Sequence, residues 1–218
     1  MKKIFDVLLK PSRLILIIAA FAYAGLFTIA IFGGFGGGFL PVVANLIIFI
    51  LTVAAVVAIP VLLLLKKEEA AKIVFLLVAG YWLISESRSY LSFAQVTESE
   101  NGLVVANGVF GFLAGLALVG VLVLLVLHFI LKKEVFKFCA VLTFAGAFLF
   151  IFVFFILELV LFIKYENGWT SYVNLIADLI APVGVFFGYL YFLGAPEFEF
   201  KKGSKSEEAP SEESGSKE

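Results

Sequence analysis

The sequence predicts an all-α integral membrane protein of six transmembrane helices, arranged as three tandem hairpins with both termini on one side, and three observations carry that reading. The chain is 62% apolar and only 15% charged, with a mean hydropathy of +1.11, more apolar surface than a water-soluble core of this size can bury. Its apolar residues fall into six blocks near the ~20 residues a helix needs to cross the hydrocarbon layer. Lysine doublets stand at Lys2-Lys3, Lys66-Lys67, Lys132-Lys133 and Lys201-Lys202, so a basic pair returns after every second block and marks the same side each time.

The first block, 14–32, follows a basic segment as a secretory signal does. It is longer than the apolar core of a signal and no Ala-x-Ala cleavage site follows it, so it reads as a retained helix. Gly33-Gly34-Phe35-Gly36-Gly37-Gly38 then gives an uncharged, tight reversal, without the Lys and Ser/Thr of a phosphate-cradling loop. The second block, 42–65, ends at the Lys66 doublet. Blocks 73–93 and 103–131 form the second pair, and 138–163 and 172–193 the third, each bounded by charge or turn residues. Residues 1–193 thus make one six-helix domain. The segment 194–218 turns to Glu, Lys, Ser, Gly and Pro and predicts a disordered tail.

Charge gives the orientation. Of 16 Lys and Arg residues, only Arg88 and Lys164 fall away from the doublet side, and this bias places both termini in the cytoplasm. Tyr165, Trp169 and Tyr172 at one end, with Tyr189 and Tyr191 at the other, fit the two interfaces. Short connections and lysine anchors point to the plasma membrane of a prokaryote. The one cysteine, Cys139, excludes an intramolecular disulfide or a cluster of thiolates within one chain.

The doublets also suggest internal triplication, with repeats 1–65, 66–131 and 132–200. Each outward-going block carries Ala-Gly-x-aromatic, beginning at Ala24, Ala79 and Ala145, and each returning block opens near an asparagine, Asn45, Asn107 or Asn174. Copies in one orientation would set equivalent residues in rings around an axis normal to the membrane. Topology alone also requires lysine at these ends, and Ala-Gly is common in membrane helices.

Ionisable residues inside spans are the first candidates for function, since each costs at least about 2.5 to 3.5 kcal/mol at the bilayer centre. Glu86, Arg88, Glu158 and Asp178 qualify, and with Asn45, Asn107 and Asn174 they lie in the half away from the doublets. Asn174, Asp178 and Pro182 share a face at i, i+4 and i+8, and Pro182 leaves the Asp178 carbonyl without its helical donor. Glu86 and Arg88 point to different faces, so Arg88 is expected to pair with Glu158 or Asp178. The plainer reading is that these groups snorkel to the interface, or form one ion pair that fixes packing.

Gly111/Gly115 and Gly184/Gly188 have the small-xxx-small spacing of close helix contacts, which fits internal packing, a homo-oligomer or a partner membrane subunit. His128 and Cys139 flank one turn but lack a third, orienting residue, and no hydrolase or metal motif is present. The chain is therefore expected to be non-enzymatic, with no cofactor, metal or nucleic acid, and the bilayer as its environment. Transport or permeation of a small solute or ion through an outer-facing polar cavity is the leading expectation. A structural or accessory subunit of a membrane complex, with no transport of its own, is the other.

Overall fold

The computed structural model describes residues 2–33, 39–92, 101–165 and 168–194. Most of the glycine turn, the tail beyond Gly194 and the side chain of Asn45 lie outside the described residues. Six helices follow one another: α1 Lys2–Gly33, α2 Phe39–Leu64, α3 Glu68–Ser92, α4 Gly102–Leu131, α5 Glu134–Lys164 and α6 Trp169–Leu193, with no strand among the described residues. Five are long and apolar enough to cross a membrane, and α2 contributes the shorter apolar stretch Phe49–Leu64. Most helices begin before their apolar block does, because hydropathy marks only the part that sits in hydrocarbon. In α1 the helix starts at Lys2 and runs through Pro11, whereas the apolar span is Leu9–Ile29.

The lysine doublets are turns with a defined backbone. Lys66 (φ 60°) and Lys132 (φ 52°) both adopt the left-handed conformation and end the preceding helix. At the first turn the Lys66 amide donates to the Leu63 carbonyl and the Lys67 amide to the Leu62 carbonyl, the paired bonds of a Schellman termination. An acidic residue follows each doublet, Glu68 and Glu134, where a negative charge favours the start of the next helix. His128 Nδ1 donates to the Lys133 carbonyl at 3.1 Å and ties the second turn. Arg13 of α1 donates to the Leu63 carbonyl at 2.8 Å, while Tyr191 of α6 donates to Glu68 at 3.0 Å. The lysine end of the bundle is thereby cross-linked by polar contacts.

Each helix packs on the next in sequence, α1 closes on α6, and α3 touches α6 across the ring. The most extensive interfaces are α4 with α5 and α1 with α6, so the three hairpins that the lysine spacing predicts, whose paired helices all touch, are closed into a ring. One core, nearer the lysine turns, gathers Leu16, Leu63, Phe75, Val141 and Leu190. A second joins Leu83, Leu118, Phe144, Ile151 and Phe154. The Ala-Gly positions are not equivalent: Ala24 and Ala79 are buried, but Ala145 is exposed and Ala147 takes the buried place. The asparagines differ too, Asn107 being buried and Asn174 exposed.

The glycine pairs serve contacts within the chain. A Cβ on Gly115 would stand 2.9 Å from the backbone nitrogen of Leu91 in α3, and one on Gly188 would meet the Phe75 ring. On Gly184 it would sit 3.1 Å from Ala19 of α1. Gly115→Ala is therefore expected to destabilise the bundle by about 1–3 kcal/mol through overpacking against backbone. Gly25→Ala, where nothing lies within 4 Å, is expected to leave the midpoint of thermal unfolding in detergent unchanged or slightly raised. Equal midpoints for the two variants would contradict the close α3–α4 approach.

Candidate functional site

A cavity of about 220 Å³ opens at the end of the ring away from the lysine turns, between α3, α5 and α6. It is lined by Glu86, Ser89 and Tyr90 on α3, Phe154, Glu158 and Phe162 on α5, and Ser171, Asn174, Leu175 and Asp178 on α6. Helix geometry accounts for this. Glu86, Ser89 and Tyr90 are spaced i, i+3 and i+4, and Ser171, Asn174 and Asp178 are spaced i, i+3 and i+7, so each set occupies one stripe. Counting at 1.5 Å per residue from the helix ends, the three carboxylates lie roughly 9 to 14 Å in.

Four of the seven residues expected from sequence thus share one cavity: Glu86, Glu158, Asp178 and Asn174. A fifth, Asn107, is buried behind it on α4 and donates through Nδ2 to Glu158 Oε2, while its Oδ1 has no partner among the described residues. Asn45 lies outside the residues whose side chains are described. Arg88 is the correction. It is exposed, does not line the cavity, and forms no ion pair with Glu158 or Asp178. Its depth matches theirs, but two residues along a helix turn the side chain by about 200° from Glu86, away from the cavity. Among the described residues the ion pair is Lys137 with Glu134, at the other end of the bundle. Among the described residues, the three acids face the cavity with no base against them.

Sequence reasoning passes over Ser89, Tyr90 and Ser171. The signal that finds them is their spacing, since Ser89 and Tyr90 are the i+3 and i+4 neighbours of Glu86 and Ser171 is the i−3 neighbour of Asn174. Tyr90 is fixed by an edge-on contact with Phe154, 5.3 Å between ring centres. At the same end of the bundle, Asn101 caps α4 through the Leu103 amide and donates to the Tyr165 hydroxyl at 2.9 Å, which ties the start of α4 to the end of α5. No three His, Cys, Asp or Glu side chains among the described residues converge closely enough to ligate one metal ion. The carboxylates surround a space and do not meet at a point. Cavity walls of Phe154, Phe162 and Leu175 form a low-dielectric surround, so the field of the acids is focused into it.

The remaining candidates do not assemble. No hydrogen bond joins His128 to Cys139 among the described residues, and His128 is engaged with the turn. Fold and cavity together define a polytopic all-α membrane protein with an acidic cavity at one end of a six-helix ring. No protein-family model, curated protein or solved structure matches the chain.

Asn107→Ala is expected to cost about 1–3 kcal/mol, since it removes a buried partner of the Glu158 carboxylate. Arg88→Ala, on an exposed face, is expected to change stability by less than about 0.5 kcal/mol. Thermal unfolding of the two variants in the same detergent checks the pair, and a larger loss for Arg88→Ala would restore the arginine to the site.

Proposed function

We propose that this chain is a plasma-membrane protein, of prokaryotic origin, with both termini in the cytoplasm, and that it carries or passes a small cation entering the acidic cavity from outside. It acts without enzymatic chemistry. The observation that supports this most is three carboxylates lining one cavity with no basic side chain opposite them among the described residues. Such a space raises the local concentration of cations and disfavours anions. Because no three acids among the described residues converge as a metal chelate, the cargo this reading favours is a monovalent cation that keeps part of its water, or an organic ammonium, rather than a stripped divalent ion.

Pro182 gives α6 the means to respond to occupancy. It sits one turn beyond Asp178 and supplies no amide proton to the Asp178 carbonyl. The freed carbonyl, beside a carboxylate, adds a second oxygen for a cation, as broken helices do in transporters. Toward the lysine end the way is closed by Leu83, Phe144, Val185 and Phe186, so passage requires α6 to move against α3.

Uptake into vesicles containing the reconstituted protein separates this from the accessory-subunit reading. Methylammonium, sodium, potassium and proton fluxes are measured side by side. Asp178→Asn, which keeps shape and removes charge, is expected to reduce the flux of the transported cation about tenfold or more. Arg88→Gln is expected to leave it unchanged. Absence of flux for the wild type across the panel, or equal flux for Asp178→Asn, would favour a structural subunit.

A further inference from the structure

A second cavity, of about 360 Å³, occupies the half of the ring nearest the lysine turns. Its wall is apolar: Phe75, Leu76, Ala79 and Leu83 of α3 face Leu122, Leu125, Val126 and Phe129 of α4, with Phe144 and Val185 behind. Gly80 also lines it, and nothing lies within 4 Å of where its Cβ would be. Val126 and Phe129 are 47% and 49% exposed. In a bilayer-spanning chain the crevice between α3 and α4 therefore gives onto lipid and not onto water.

One polar group interrupts this wall. Tyr189 of α6 lines the crevice and is only 7% exposed, and its hydroxyl has no partner among the described residues. A buried hydroxyl without a partner is unfavourable, and in hydrocarbon no water relieves it. Tyr189 lies four residues before the end of α6, roughly 6 Å in at 1.5 Å per residue. That sets the residue just inside the end of the apolar block, at the inner edge of the interface, where the ester carbonyls of a phospholipid meet the hydrocarbon. Just beyond Phe129, the exposed Lys132 and Lys133 supply positive charge at headgroup level.

We propose that this crevice is a binding site for one anionic phospholipid: an acyl chain fills the space between α3 and α4, an ester carbonyl accepts from the Tyr189 hydroxyl, and the phosphate rests against Lys132 and Lys133. The site depends on the chain lying in a bilayer and is independent of the acidic cavity at the other end. Its occupant wedges α3 and α4 at the end where no glycine of α4 draws them together, and it orders the second lysine turn.

The full chain in nanodiscs of equal dioleoylphosphatidylglycerol and dioleoylphosphatidylcholine, extracted into mild detergent and weighed by native mass spectrometry, tests this. One retained phosphatidylglycerol per chain is expected. Gly80→Leu fills the crevice from a position with room for its Cβ, so the variant folds, and it is expected to lose the lipid. Tyr189→Phe is expected to weaken retention about fivefold, the worth of one hydrogen bond. Lys132→Gln and Lys133→Gln together are expected to erase the preference for phosphatidylglycerol, roughly fivefold per lysine, while a lipid is still retained. Retention unchanged in folded Gly80→Leu, equal retention of both lipids by the wild type, or a retained species without an ester, such as a quinone, would each overturn the proposal.

Discussion

In lipid, helices gain little from the hydrophobic effect when they associate, and close packing at small residues decides which ones touch. Here that constraint falls on α3. Gly115 lets the α4 backbone come against Leu91 at one end of α3, and Gly188 lets α6 lie over Phe75 at the other. A helix held at both ends by neighbours on two sides cannot rotate, and the positions of Glu86, Ser89 and Tyr90 follow from that. So does the apolar stripe from Phe75 to Leu83. The same stretch of chain thus sets the acidic cavity and the lipid-facing crevice.

The two ends of the ring use polarity in opposite ways. At the lysine end, polar groups are engaged in structure, the Tyr189 hydroxyl excepted: Arg13 on a helix-terminal carbonyl, Tyr191 on Glu68, His128 on its turn and Lys137 on Glu134. At the far end, acids line a space without compensating bases among the described residues, where the Asn107 amide donates to Glu158. Carboxylates inside a membrane-spanning ring are costly to keep and add nothing to packing without a basic partner, so stability alone does not account for them. That contrast, rather than the presence of acids, is why the far end is the functional candidate.

Much of this is legible in the sequence, and the limits have definite causes. Depth in the membrane follows from counting residues, so the order of amino acids alone groups Glu86, Glu158, Asp178 and Asn174. Azimuth follows only in part: counting separates Glu86 from Arg88 but does not say which neighbour faces either stripe. An ion pair for Arg88 is expected from depth and absent for that reason, since the order of helices around the ring is invisible to hydropathy. Chain connection sets α5 beside α6, as it does in the structure, but it does not reveal that the larger interfaces of each are with α4 and α1. The triplication rests on spacings that the backbone honours at Lys66 and Lys132 and that packing breaks at Ala145, where the buried face is rotated to Ala147.

The central claim is that the acidic cavity and the lysine turns face opposite sides of one membrane. Single cysteines at Ser89, Ser171 and Lys133, in a chain whose Cys139 is replaced by serine, test it through a membrane-impermeant maleimide added to intact cells. With the cavity outside, Ser89→Cys and Ser171→Cys are expected to react in intact cells, and Lys133→Cys only after the membrane is permeabilised. Labelling of Lys133→Cys in intact cells, or protection of both serine positions there, would contradict it.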